Sequence, residues 1–292
     1  MKKFLRLLMV LSSLFILGFP VQEVASMEVP FSVEPVIPDN QASGVSYFDL
    51  TLQSGQEQDL EVILTNSSDQ PIEIVVKAHS GVTNANGIIV YDGSLPTVKS
   101  YDSIIFDEMV KIENDRVTVP ANGEAKAVIH VKAPEDNFDG LILGGLHFLL
   151  EAPENDENSG VSIQNQYAYV IGVNIREEGN TTKVEADLEV EKIEAEEVYG
   201  QPGVVVYLNN LAPAIISNAD VLAEIFPANQ LDTPVAKREA SMFSVAPSLA
   251  FNFPIELTEG EELAEGDYVL KISLKSNKYD ILLEEAFSIP AN

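Results

Sequence analysis

No cysteine and no tryptophan occur among the 292 residues, and histidine occurs only three times. Without cysteine there are no disulfides, no thiol nucleophile and no thiolate metal ligands, so stability must come from core burial alone. Without tryptophan the commonest sugar-stacking side chain is missing, and nine tyrosines and thirteen phenylalanines are left to substitute. Basic residues are scarce too: 17 Lys and Arg stand against 46 Asp and Glu, a formal net charge of −29. A surface this negative is repelled by nucleic acid and anionic lipid, and it favours basic partners.

Long apolar runs are nearly absent. The first spans Leu7 to Phe19 and is broken only by Ser12, Ser13 and Gly18. Lys2, Lys3 and Arg6 precede it; Pro20 and the small residues Val24-Ala25-Ser26 follow. That order is the pattern of a secretory signal peptide, with cleavage expected after Ser26. The run falls short of the roughly 20 apolar residues that span a bilayer. Cleavage removes three cations and one acid, leaving 14 basic against 45 acidic residues, or −31. The other rich run, Leu141 to Leu150, holds two glycines and reads as a buried strand or strand pair.

Helical periodicity is scarce, whereas short alternating runs fill the chain. Leu60–Thr65, the turn Asn66–Pro71 and Ile72–Ala78 read as a hairpin. Val117–Pro120 leads through the tight turn Ala121–Glu124 into an alternating strand, Ala125–Lys132. Asn137-Phe-Asp-Gly140 opens a second hairpin with arms Leu141–Leu150 and Tyr167–Arg176. The acidic segment between those arms reads as an exposed loop without the residue register of a calcium site. Glu177–Thr182 is polar and turn-rich, and alternation resumes at Lys183 with a strand expected over Val184–Ile193. Further strands are expected near residues 204–208, 219–226, 241–245, 249–257, 268–274 and 281–289. The fold class is therefore all-β, with two tandem immunoglobulin-like β-sandwich domains after the signal peptide: residues 27–180 and 181–292. The halves also echo each other. Leu60 to Asn66 parallels Val204 to Asn210, and Val117–Pro120 parallels Phe243–Pro247, a likeness that duplication and shared β patterning explain equally well.

Chemistry-bearing patterns are few. His79, His130 and His147 fall in separate predicted strands without metal-ligand spacing. No Gly-x-Ser-x-Gly elbow and no phosphate-cradling glycine loop occur. A pair of carboxylates could serve a glycosidase, but nothing singles one out. No catalytic residue, cofactor or metal ligand is assigned. Asn66-Ser-Ser68 and Asn180-Thr-Thr182 match glycosylation sequons and are read as turns. What remains is surface, and the candidate binding residues are Asn137, Phe138, Asp139, Gly140, Gly144 and Gly145, because the glycines permit close approach. The competing reading of the same segment is a bulged core strand.

An ordered set of segments runs the length of the chain: Pro30–Gln41, Tyr47–Thr51, Gly55–Val62, Val119-Pro120, Phe138–Phe148 and Tyr167–Val173, then Leu208–Asn210, Pro213–Ile216, Ala246-Pro247, Phe251–Ile255 and Gly266–Tyr268. Together they resemble the cell-surface WxL-interacting proteins of low-GC Gram-positive bacteria. The resemblance implies an N-terminal peptidoglycan-binding domain and a C-terminal host-binding domain. It implies a non-enzymatic adaptor at the Gram-positive cell wall whose partners are peptidoglycan, secreted WxL-domain proteins and host matrix or surface proteins. A chaperone-like assembly subunit for WxL proteins is the alternative, and a wall hydrolase a third reading. The family pattern usually continues into a membrane helix and a basic tail. This sequence stops at Asn292, so it is either a variant without the anchor or a truncated one, and membrane contact is expected only through a helix it does not contain.

Overall fold

The computed structural model describes residues 29–101, 103–151, 166–257 and 262–290. The expected signal peptide, and nearly all of the acidic loop between the arms of the second hairpin, lie outside the described residues. Phe31–Asn292 groups as one compact unit.

In the first half the strands are β1 (Phe31–Val36), β2 (Phe48–Leu52), β3 (Glu57–Asn66), β4 (Ile72–Ser80), β5 (Val82–Thr83), β6 (Ile89–Val90), β7 (Val110–Ile112), β8 (Arg116–Val119), β9 (Glu124–Lys132), β10 (Ile142–Leu150) and β11 (Ala168–Glu177). They form two facing sheets, ordered β1-β3-β9-β7 and β2-β11-β10-β4-β8, and β5 and β6 pair as a separate small hairpin. The second half holds β12 (Leu188–Val198), β13 (Gln201–Asn210), β14 (Ile216–Pro227), β15 (Ala236–Val245), β16 (Ala250–Glu256), β17 (Gly266–Lys275) and β18 (Asp280–Ile289). Their sheets run β12-β13-β16 and β15-β14-β17-β18. The protein is thus all-β, with two immunoglobulin-like sandwiches in tandem.

Period-two alternation chooses the buried face. In β3 the buried side chains are Leu60, Val62 and Leu64, and in β9 they are Ala127, Ile129 and Val131. These meet Ile74, Val76, Leu146, Phe148, Val173 and Ile175 from the opposite sheet, all nearly inaccessible. Full burial of each large side chain is worth about 1.5–3 kcal/mol. The second core is built likewise from Val204, Val206, Ile225, Phe243, Phe253, Ile255, Leu270 and Ile272.

Two expectations are corrected. β3 and β4 do not form a hairpin: β3 pairs with β1 and β9, whereas β4 pairs with β10 and β8 in the facing sheet. The turn after Asn66 therefore carries the chain from one sheet to the other. The strand expected from Val184 begins at Leu188; Val184 and Ala186 already face inward with Leu188 and Val190, but outside the ladder.

The echo between the halves has a structural basis. Strands β1, β3 and β9 stand in the order that β12, β13 and β16 repeat, and β11-β10-β4-β8 is repeated by β18-β17-β14-β15. The asparagine closing each equivalent strand does the same work. Asn66 is buried, and its Nδ2 donates to the carbonyls of Gln70 at 2.8 Å, Val119 at 3.2 Å and Pro120 at 3.1 Å. Asn210 is fully buried, and its Nδ2 donates to Ala214 at 2.8 Å and Ala246 at 2.9 Å. Each Oδ1 accepts the backbone N–H two residues on, from Ser68 and from Ala212. The carboxamide satisfies backbone groups that the crossover strips from the sheet ladder.

Candidate functional site

The segment between β4 and β7 leaves the first sandwich and packs on the second. Ala246 N–H donates to Thr83 Oγ1 at 2.7 Å, Ser244 N–H to the Gly87 carbonyl at 2.8 Å, Ala250 N–H to Val98 at 2.9 Å, and Ser100 N–H to Ser248 at 3.0 Å. Val82, Ile105, Ala246 and Leu249 form a small shared core, with Ile89 and Leu95 against it. Arg238 of β15 reaches back: its guanidinium donates to the carbonyls of Ala85 and Pro254, both at 2.6 Å, and lies 4.3 Å from the Phe253 ring centre. The sandwiches are therefore fastened to each other.

The sequence-predicted residues 137–145 lie at this joint. Asn137 is exposed and accepts a hydrogen bond from Ser54 Oγ at 3.1 Å. Asp139 is exposed and Phe138 is buried; Asn180 Nδ2 donates to the Asp139 carboxylate and to the Phe138 carbonyl, both at 2.8 Å. Gly140 has a φ of +72°, and a Cβ there would overlap the carbonyl oxygen of Pro213 in the second sandwich. Leu141 N–H donates to that same oxygen at 2.8 Å. Gly144 and Gly145 are buried in β10: a Cβ on Gly144 would strike the Phe106 ring, and one on Gly145 would lie 2.8 Å from Tyr91 Cβ. The segment thus divides into an exposed pair, Asn137 and Asp139, and glycines that let other parts of the fold approach.

A cleft flanks this segment on each side. One, about 380 Å³, is lined by Tyr101, Ser103, Asn137, Asp139, Pro213 and Ser248 among others. The other, about 330 Å³, is lined by Gly140, Arg176, Glu177, Asn180, Thr182, Lys183 and Lys278 among others. Arg176 pairs with Asp49 at 2.5 Å, and Lys183 with Glu185 at 2.5 Å. Burial pushes the Asp49 carboxyl up, but the Ser43 hydroxyl and the Arg176 guanidinium outweigh it and hold the group below its ordinary value. Three cations in one cleft stand out in a chain with 17 Lys and Arg in all. Amides, a hydroxyl and charges of both signs together suit a polar ligand carrying amide, hydroxyl and carboxylate groups.

Sequence spacing gave no link between His79 and His147, yet pairing of β4 with β10 makes them diagonal neighbours, His79 opposite Gly145 and His147 opposite Lys77. His79 Nε2 and His147 Nδ1 are buried without a hydrogen-bond partner. Burial holds His147 below its ordinary value, with Asp92 opposing and His79 and Lys77 adding to the shift. Burial, with Tyr47 nearby, pushes the Tyr91 phenol beside this pair up to about 12. Among the described residues no three His, Asp or Glu side chains are grouped to hold a metal ion. Likewise among those residues, no helix is long and apolar enough to cross a membrane.

Residues 31–149 match the family model described as WxL Interacting Protein, peptidoglycan binding domain, and residues 158–292 match WxL Interacting Protein, host binding domain. The second match includes β11, which the sheet topology places in the first sandwich. No curated protein matches the chain. Among solved structures, a chaperone–tip adhesin complex of CFA/I fimbriae aligns over 90% of this chain and 100% of that one, at 12% identity and a TM-score of 0.36. The YadV chaperone aligns over 89% and 100%, at 9% identity and a TM-score of 0.34. The Pseudomonas aeruginosa CupB2 chaperone aligns over 79% and 92%, at 15% identity and a TM-score of 0.29. These likenesses are remote.

Proposed function

The chain belongs to the WxL-interacting protein family, and we propose that it is a non-enzymatic adaptor on the outer surface of a Gram-positive bacterium. The first sandwich binds peptidoglycan, and the second binds a protein, either a WxL-domain surface protein or a host matrix or surface protein. The observation that carries this reading is the family's two binding domains, in order, across most of the chain. We place the division between them after residue 180, in the connection between β11 and β12, and export through the signal peptide at residues 1–26.

Asn137 and Asp139, supported by Phe138 and Gly140, form the first contact surface for the wall polymer, while Gly144 and Gly145 are buried in β10 against Phe106 and Tyr91. The adjoining clefts supply amide and hydroxyl groups for the glycan, and Lys278, which has no ion pair among the described residues, supplies a cation for the carboxylates of peptide stems. The test is sedimentation of the mature chain, residues 27–292, with purified peptidoglycan. The protein is expected in the pellet at low and moderate salt; recovery in the supernatant at both would reject the assignment. Incubation with labelled peptidoglycan is expected to release no soluble fragments, and release would make the protein a hydrolase. Co-purification with a WxL domain in the absence of wall would shift the reading toward an assembly subunit.

A further inference from the structure

A cleft larger than the two at the joint lies at the far end of the second sandwich, away from the joint. About 900 Å³ in volume, it opens between β12 and β18. Among the described residues both are edge strands: β12 pairs only with β13, and β18 only with β17. A strand edge carries unpaired N–H and C=O groups, which are a template for another strand. Ten residues of β18 and eleven of β12 are long edges by ordinary standards.

The inner face of β12 is uncovered here. Ala195 sits opposite Val204, which is fully buried, yet Ala195 itself is exposed. Ile193, opposite the buried Val206, is only half-buried. With Leu257 and Ile289 they give the cleft an apolar floor. The rim is carboxylate: Glu194, Glu196, Glu197, Glu262 and Glu265 line it, and among the described residues no Lys or Arg does. Glu194 is taken by Lys192 at 2.8 Å and Glu196 accepts from the Tyr207 hydroxyl, while none of the four besides Glu194 has an ion pair among the described residues. A bulge in β12 between Val190 and Lys192 and the like charge on both partners disfavour pairing with a second copy of this chain, whose net charge is −29.

Resting on the reading that the second sandwich is the protein-binding half, we propose that the β12–β18 seam receives an extended cationic segment of the partner. Its backbone adds to the free edge of β12, its apolar side chains enter over Ile193 and Ala195, and its alternate Lys or Arg side chains meet Glu196 on the opposite face of that strand and Glu262 and Glu265 before β17. Main-chain bonds give such docking its affinity, and alternate side chains give it selectivity.

The probe is a fluorescein-labelled decapeptide of alternating Lys and Val, followed by anisotropy against the mature chain. It is expected to bind, and the alternating Glu–Val peptide is not. Glu196→Lys with Glu265→Lys, both exposed, is expected to weaken binding at least tenfold without changing the thermal unfolding midpoint. Bound peptide is expected to slow amide exchange in β12 and β18. A blocked Lys–Val peptide of the same composition that binds equally well would overturn the proposal in favour of plain charge attraction. Protection confined to other strands, or concentration-dependent protection of the seam by a second copy without peptide, would overturn it as well. Peptidoglycan sedimentation of the same preparation separates the outcomes: loss of peptide binding alone rejects the seam, and loss of wall binding alone rejects the first-sandwich assignment.

Discussion

Gly140→Ala tests whether the joint fastens the sandwiches as described. An alanine at a φ of +72° costs about 1–2 kcal/mol through the left-handed conformation alone. Its Cβ would also overlap the Pro213 carbonyl oxygen and lie 2.9 Å from Pro213 Cβ and Cγ. The Pro213 backbone has little room to yield. Asn210 pins the turn around it through the Ala214 carbonyl and the Ala212 N–H, and Leu141 N–H already holds the Pro213 oxygen. Relief requires the segment to lift off the second sandwich, losing the Leu141 bond at a further cost of about 0.5–1.5 kcal/mol. The sum is about 2–3 kcal/mol. Gly179→Ala supplies the reference, since Gly179 has a φ of +73° and nothing within 4 Å of its would-be Cβ. Both variants share the backbone strain and the loss of unfolded-state freedom that Gly→Ala brings, so their difference isolates the interdomain contact. Urea unfolding followed by far-ultraviolet circular dichroism measures it, because the chain has no tryptophan to report on. Gly140→Ala is expected to be less stable than Gly179→Ala by about 1 kcal/mol, with the transition broadened as the sandwiches lose their coupling. Equal midpoints and slopes for the two variants would refute the account of the joint.

Asn66→Ala and Asn210→Ala, read by urea midpoint, should each cost about 1–3 kcal/mol by leaving buried carbonyls unpaired. The Asp variants should be worse than the Ala ones, because a carboxylate would face carbonyl oxygens there. Gly144→Ala should displace the fully buried Phe106 ring at a cost approaching the roughly 3–5 kcal/mol of deleting a core aromatic, and differential scanning calorimetry reads the drop. Acid should weaken the fold locally at His147. Its folded value lies below the ordinary one of 6.5, chiefly through burial, so the contribution is complete above about 6.5 and is lost as pH falls through that value toward the folded one. His147→Gln should flatten the stability profile below about pH 6.5, and an unchanged slope in that variant would assign the dependence to another group.

Alternation made the strands legible because a strand with one face in a core must write that face every second residue. It names the face but not the neighbour. The run from Leu60 to Ala78 has the same pattern whether its two strands share a sheet or face each other, and only the buried Asn66 distinguishes the cases. That signal was present as an asparagine closing a strand in each half, and it marked the repeat without revealing that the repeat is a sheet crossover. The glycines of Asn137–Gly145 read as permitting close approach, but sequence does not say what approaches. Phe106, Tyr91 and Pro213 come from three separate segments of the chain, and they turn most of that stretch into a support for the joint. Asn137 and Asp139 remain at the surface because polar side chains on a turn have no reason to be buried, which is also why nothing local distinguishes them from other turns. The seam between β12 and β18 was the least legible feature. Its acids are part of a negative surface spread along the chain, and what sets them apart is Ala195 lying exposed opposite a fully buried valine. An apolar inner face left open beside two strand edges is a property of the assembled sandwich, so the docking proposed there rests on topology more than on any run of residues.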